Sequence, residues 1–137
     1  MQDAELSGED RMIVLDYRVT LRAVLVGAIT TNQPDVQVQF FDEFPQLTEN
    51  GTESFIKTRS TYKRTAMNGV TDVTICTAPN IASIRNVRTL TVYNRDTASA
   101  TVIVKTNDGT TDFIFVRQLL LTLQSLHYDD SSGWQIL

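Results

Sequence analysis

Runs in which apolar and polar residues alternate one by one, each ended by a turn-forming cluster, restrict this chain more than any other feature. Val36-Gln37-Val38-Gln39-Phe40 is the cleanest. In an extended strand Val36, Val38 and Phe40 share one face while Gln37 and Gln39 share the other. Val87 to Tyr93 repeats the pattern, with Leu90 and Val92 inward and Thr89, Thr91 and Tyr93 outward or at an edge. Little in the chain has the 3.6-residue spacing of an amphipathic helix.

Other segments are read by composition as much as by period. Met12-Ile13-Val14-Leu15 is an apolar run, and Thr20 to Val26 is apolar on both faces over part of its length, as in a strand covered from two sides. Phe41-Asp42-Glu43-Phe44-Pro45 is expected to end the strand begun at Val36. Residues 48–53 form a polar loop whose Asn50-Gly51 suits positive φ. Phe55 to Lys63 is ambiguous. Val70 to Cys76 resumes a strand that Ala78-Pro79-Asn80 stops.

The last fifty residues predict two hairpins. Asp108-Gly109 between Ala100–Thr106 and Thr111–Gln118 reads as a two-residue type I′ loop, which pairs Lys105 with Asp112, Val104 with Phe113, Ile103 with Ile114 and Val102 with Phe115. The closing hairpin sets Ser125-Leu126-His127-Tyr128 against Trp134-Gln135-Ile136-Leu137, with Tyr128 beside Trp134. The expected fold is all-β, an antiparallel two-sheet sandwich or jelly roll of eight or nine strands over residues 11–137, preceded by a flexible acidic arm over residues 1–10. A length of 137 residues suits one such domain. With no apolar run near 18 residues and no basic, apolar leader at Met1, neither a membrane span nor Sec export is expected.

Charge is segregated. Residues 1–53 carry a net −7, residues 54–95 a net +6 and residues 96–137 a net −3. Either the fold neutralises itself or one subunit's basic surface meets a neighbour's acidic one. The acids of the arm (Asp3, Glu5, Glu9, Asp10) and the basic stripe Lys57, Arg59, Lys63 and Arg64 are the candidate contact residues. Alternation places Lys57 and Arg59 on one face with Phe55, a pattern that also occurs in single-strand nucleic-acid sites. An overall charge of −4 disfavours a nucleic-acid partner and favours a solvated face or a protein contact.

Catalytic chemistry has few carriers. His127 is the one histidine and sits mid-strand, where a structural role is expected. Cys76, the one cysteine, ends an apolar strand and reads as an inert core thiol, which excludes a disulfide framework. Asn107 to Asp112 resembles part of a calcium loop but sets Val104 where an oxygen ligand is needed. Asp129-Asp130 with Asp112 is a weak cation candidate, since paired acids at a hairpin tip are mostly turn formers. The expectation is no enzyme, no cofactor and no metal.

Val87 to Thr97, Ala100 to Val104, Asn107-Asp108-Gly109, Leu126-His127-Tyr128-Asp129 and Gly133-Trp134-Gln135-Ile136-Leu137 together resemble small β-rich structural proteins of tailed bacteriophage virions. In those proteins a strand ending in Tyr-Asn-x-Asp-Thr leads to a Val-rich hairpin and a closing Leu-x-Tyr-x-Asp-x-x-Gly-Trp-x-Val segment. Ala28 to Gln33, followed by an alternating Val strand, is similar as well. Leu123-Gln124 departs from the pattern, which tends to have Gly before a polar residue, and Phe41 to Arg64 has no counterpart in it. The resemblance implies a virion component assembled in the bacterial cytoplasm, foremost a capsid decoration or cement protein. Its implied partners are the major capsid protein or other virion proteins, and a homo-oligomer, dimer or trimer, is expected. A tail, neck or fibre-base adaptor is the alternative. A third reading is a carbohydrate-binding sandwich that stacks sugars on Tyr93, Tyr128 and Trp134.

Overall fold

A computed structural model describes residues 12–47 and 50–137, with eleven strands and no helix among them. The strands are β1 (Val14–Leu15), β2 (Thr20–Leu25), β3 (Asp35–Leu47), β4 (Glu53–Lys57), β5 (Thr61–Ala66), β6 (Val73–Cys76), β7 (Ile84–Tyr93), β8 (Ala100–Asn107), β9 (Asp112–Leu120), β10 (Ser125–Asp129) and β11 (Gly133–Ile136). They form two antiparallel sheets. One has the order β11-β10-β7-β3-β4, with β1 added to β7 and β5 to β3; the other has the order β6-β2-β8-β9. The two strands beyond the expected nine are β4 and β5, both from the stretch whose sequence is ambiguous.

Alternation sorts the side chains as expected. Val36, Val38, Leu90, Val92, Leu126 and Tyr128 from the larger sheet meet Leu21, Ala23, Leu25, Val102, Val104 and Leu120 from the smaller in one buried cluster. The closing hairpin has the expected register, Tyr128 opposite Trp134, with ring centres 5.0 Å apart. The Tyr128 hydroxyl accepts the Ile13 backbone N–H at 3.1 Å, tying the segment before β1 to β10.

Two expectations are corrected. First, β3 does not stop at Phe41 but runs on to Leu47, because β4 supplies a new partner, Phe44 opposite Ile56 and Pro45 opposite Phe55. Pairing with β7 ends at Glu43 opposite Ile84. Pro45 therefore lies where β3 has a neighbour on one side only, a position that tolerates its missing N–H. Second, the β8–β9 loop holds four residues, with Asn107 opposite Asp112 and a bulge that sets Lys105 opposite Ile114 and Val104 opposite Val116. A type I′ turn needs positive φ at both central residues, but Asp108 does not have it and Gly109 does, at φ 104°. Instead the Asp108 carboxylate accepts the N–H groups of Thr110 and Thr111 at 3.0 and 2.8 Å, and Asn107 Oδ1 accepts that of Gly109 at 2.7 Å. These side-chain bonds select the longer loop. Val116 thereby faces the core opposite Val104 and is buried. The bend entering β10 contains a left-handed residue that is not glycine, Leu123, at φ 67°.

A left-handed backbone costs an L-residue roughly 1–2 kcal/mol, more than the roughly 0.4–1 kcal/mol of unfolded-state entropy that a glycine adds. Leu123 is two-thirds exposed, so its side chain contributes little packing. Leu123→Gly is expected to stabilise the fold by about 0.5–1 kcal/mol in urea denaturation.

Candidate functional site

Two places concentrate polar chemistry. The first is the end of the molecule where four connections cross between the sheets, three of which, β2 to β3, β7 to β8 and β9 to β10, meet in one polar cluster. Asp96 is buried there, and its carboxylate accepts backbone N–H groups from Thr30 at 2.8 Å, Thr31 at 2.8 Å, Asn32 at 3.0 Å and Thr97 at 2.8 Å. Asn94, fully buried, turns its Nδ2 to the carbonyls of Ala98, Leu120 and Leu121 at 3.0–3.2 Å. Its Oδ1 accepts the Asp96 N–H at 3.0 Å. The Thr122 hydroxyl donates to the Asp96 carbonyl. The donor from Thr30, followed by those from Asn32, Thr31 and Thr97, lowers the Asp96 pKa to about 2 against the opposing effect of burial. By sequence Asn94 to Thr97 reads as an ordinary turn; nothing in linear spacing signals that its carboxylate meets residues 30–32.

The second place is the outer face of the larger sheet, where β3, β5 and β7 carry a polar layer and the basic stripe begins. The stripe is divided. Lys57 ends β4 opposite Glu43, and Thr58 then leaves the strand, its N–H and hydroxyl oxygen bound to the backbone of Asp42 at 2.8 Å each. Arg59 thus falls outside the alternation expected to align it with Lys57 and Phe55. In β5, Lys63 pairs with inward-facing Val38 and Arg64 with outward-facing Gln37, so the two cations point to opposite faces. Arg64 reaches the Asp35 carboxylate at 3.6 Å, which Arg95 also approaches at 3.8 Å. All four cations are exposed. The acids Asp3, Glu5, Glu9 and Asp10 lie outside the described residues.

A cleft of about 260 Å³ opens beside Lys57, lined by Phe41, Lys57, Thr58, Ser60, Arg88 and Asp130. Arg88 is there because of a bulge: Gln39 pairs with Thr89 and Phe40 with Val87, leaving Arg88 without a partner on β3. Its guanidinium carbon stands 5.7 Å from the centre of the Phe41 ring, and Lys57 Nζ 5.6 Å from the same centre. Alternation alone does not reveal this grouping, since an inserted residue shifts the register without a sequence mark.

Elsewhere the candidate chemical groups are buried or have hydrogen-bond partners within the fold. His127 Nδ1 bonds the Thr91 hydroxyl at 2.8 Å. The Cys76 thiol is buried, and burial pushes it up to about 11 despite the nearby Arg85 guanidinium. Asp129 is engaged by the Ser131 N–H and hydroxyl at 2.8 and 2.6 Å. Asp112 accepts from Lys105 at 2.9 Å and Asn107 at 2.7 Å. Among the described residues no group of three or more His, Cys, Asp or Glu side chains is arranged to hold a metal. Tyr128 and Trp134 are core residues, 1% and 4% exposed, which corrects the expectation that they offer stacking platforms for a sugar; Tyr93 remains accessible at 37%. No helix among the described residues is long and apolar enough to cross a membrane. No protein-family model, curated protein or solved structure matches the chain.

Because the folded pKa of Asp96 lies below its ordinary 3.8, its contribution to stability is complete above pH 3.8 and is lost as the pH falls to about 2. Asp96→Asn sets an amide N–H₂ against N–H donors. The variant is expected to melt below the parent at pH 7, with a gap that narrows as the pH is lowered from 3.8 to about 2. Thermal unfolding followed by circular dichroism across that range checks it; a gap independent of pH contradicts the ionised-hub assignment.

Proposed function

We propose that this chain is a non-enzymatic β-sandwich component of a tailed-phage virion, most directly a capsid decoration or cement protein that binds and stabilises the assembled shell. The observation that carries the reading is the ribbon made by β4 and the end of β3. Beyond Glu43 this pair has no further strand on either side among the described residues, and every residue of β4 is exposed. Phe44 and Ile56 share one face of it, and Pro45 and Phe55 the other, with Phe55 60% exposed. A lone two-stranded ribbon is marginal in water and gains from a partner that covers its apolar groups, at about 1.5–3 kcal/mol for each large side chain fully buried.

The other sheet also leaves apolar groups uncovered. The edge strand β9 exposes Phe113 and Ile114 at its start and Leu119 near its end, and Leu121 follows, each about half exposed. Apolar groups left uncovered in both sheets suit a protein that joins neighbours, provided each contact grows toward the roughly 1,000 Å² of a stable interface. A protein that binds the assembled lattice and not its parts stabilises the lattice by mass action, without a covalent step. The segment that forms the ribbon and the basic stripe is the one with no counterpart in the resemblance, so it is where partner choice would reside. A tail, neck or fibre-base adaptor uses the same surfaces at lower copy number.

Quantitative mass spectrometry of purified particles tests the reading by the ratio of this chain to the major shell protein. Decoration predicts about one copy per shell subunit or a simple fraction of it. A count of about six or twelve copies per particle assigns the chain to the tail or neck instead, and absence from particles overturns the virion reading.

A further inference from the structure

We propose that the cleft beside Phe41 is a binding site for a carboxylate group. Its lining is rich in donors. Lys57 and Arg88 both approach the Phe41 ring, and neither has a carboxylate within 4 Å among the described residues. The Thr58 hydroxyl oxygen accepts the Asp42 N–H, which leaves its own proton to donate, and Ser60 adds a second hydroxyl at the rim. Two cations gathered at one aromatic ring repel each other, and an anion between them removes that cost.

The site is also fixed in place. Asp42, to whose backbone Thr58 is bonded, is itself gripped by the Arg85 guanidinium at 2.7 and 3.0 Å. On the opposite wall the Asp130 N–H donates to the Arg88 carbonyl at 2.9 Å, holding the bulge against the β10–β11 turn. A donor set on anchored backbone has little to reorganise when a ligand enters.

Charge and size select the ligand class. Lys57, Arg88 and Asp130 give the lining a net +1, which one monovalent carboxylate neutralises and a phosphate dianion overshoots. Glu43, opposite Lys57 across the strands, does not line the cleft, and its carboxylate accepts from Asn86 Nδ2 at 2.8 Å. A volume of about 260 Å³ is smaller than most cofactor or drug-sized sites and holds an acidic side chain or a small free acid. The recess of about 370 Å³ at Asp35, Gln37, Arg64, Thr91 and Tyr93 has no such need, because Asp35 already sits between two arginines. The carboxylate site does not rest on the virion reading and survives if that reading fails.

Heteronuclear NMR of the ¹⁵N-labelled full chain tests the site, using sodium acetate against sodium chloride at matched ionic strength, and then a synthetic decapeptide with the sequence of residues 1–10. The expected result is a saturable acetate-specific shift of the Lys57, Thr58, Ser60, Arg88 and Asp130 amides. Affinity should fall about tenfold or more in Lys57→Gln and in Arg88→Gln, single changes of exposed side chains whose remaining cross-peaks report an intact fold. Tighter binding of the peptide than of acetate, at equal carboxylate concentration, identifies an acidic polypeptide as the source of the ligand; equal binding identifies a free acid as sufficient. Shifts that do not saturate, that chloride reproduces, or that persist unchanged in both variants overturn the proposal.

Discussion

One end of this fold is organised by a single carboxylate taken out of water and surrounded by backbone N–H groups. Asp96 accepts from residues 30, 31, 32 and 97, and Asn94 beside it collects the carbonyls that end β9 and the turn before β8. The chain passes between its two sheets at this end four times, and three of those passages, β2 to β3, β7 to β8 and β9 to β10, meet at these two side chains. The connecting residues are mostly exposed, but the backbone N–H and carbonyl groups they turn toward Asp96 and Asn94 need partners where they meet, and these two buried side chains supply them. An ionised carboxylate is well suited, since it accepts several donors at once with charge-assisted strength. The strain held at Leu123 belongs to the same arrangement: its N–H donates to the Asn94 carbonyl at 2.7 Å, and the Gln124 carbonyl that follows the left-handed turn accepts the Asn94 N–H at 2.9 Å.

With the crossings tied at Asp96 and Asn94, the larger sheet can carry strands that contribute nothing to the core. β5 and β4 add in succession to the same edge of β3, the first beside the core and the second beyond the end of β7. Neither buries a fully apolar face; their residues are exposed almost without exception. Such an extension has no folding rationale of its own, and the assembly reading gives it one: a rigid body that presents an apolar ribbon and a cation-rich cleft at its base to other chains.

Legibility in the sequence followed burial. Where one face of a strand is covered and the other wet, as at Val36–Phe40, Val87–Tyr93 and the closing hairpin, period-two alternation gives position, facing and even partner, and Tyr128 meets Trp134 as the spacing implies. Where both faces are wet, as in β4 and β5, no period exists to be read. Register near turns depends on short side-chain bonds: Asp108 and Asn107 capture backbone N–H groups and lengthen a loop that the Asp-Gly pair alone would make shorter. The site residues divide the same way. Lys57 and Arg64 are identifiable as basic residues, but Arg88 enters the cleft through a bulge and Asp130 through a turn on a distant hairpin, neither of which leaves a mark in linear spacing.

A body tied at Asp96 and an exposed ribbon proposed to meet a partner divide the labour of this fold. Amide hydrogen exchange, measured on the free chain and on the particle-bound chain, tests this division most directly. The account predicts slow exchange at Thr30, Thr31, Asn32 and Thr97 in both states, and fast exchange over residues 53–57 in the free chain that slows on the particle. Residues 53–57 protected as well as the core in the free chain, or left unprotected on the particle, would contradict it.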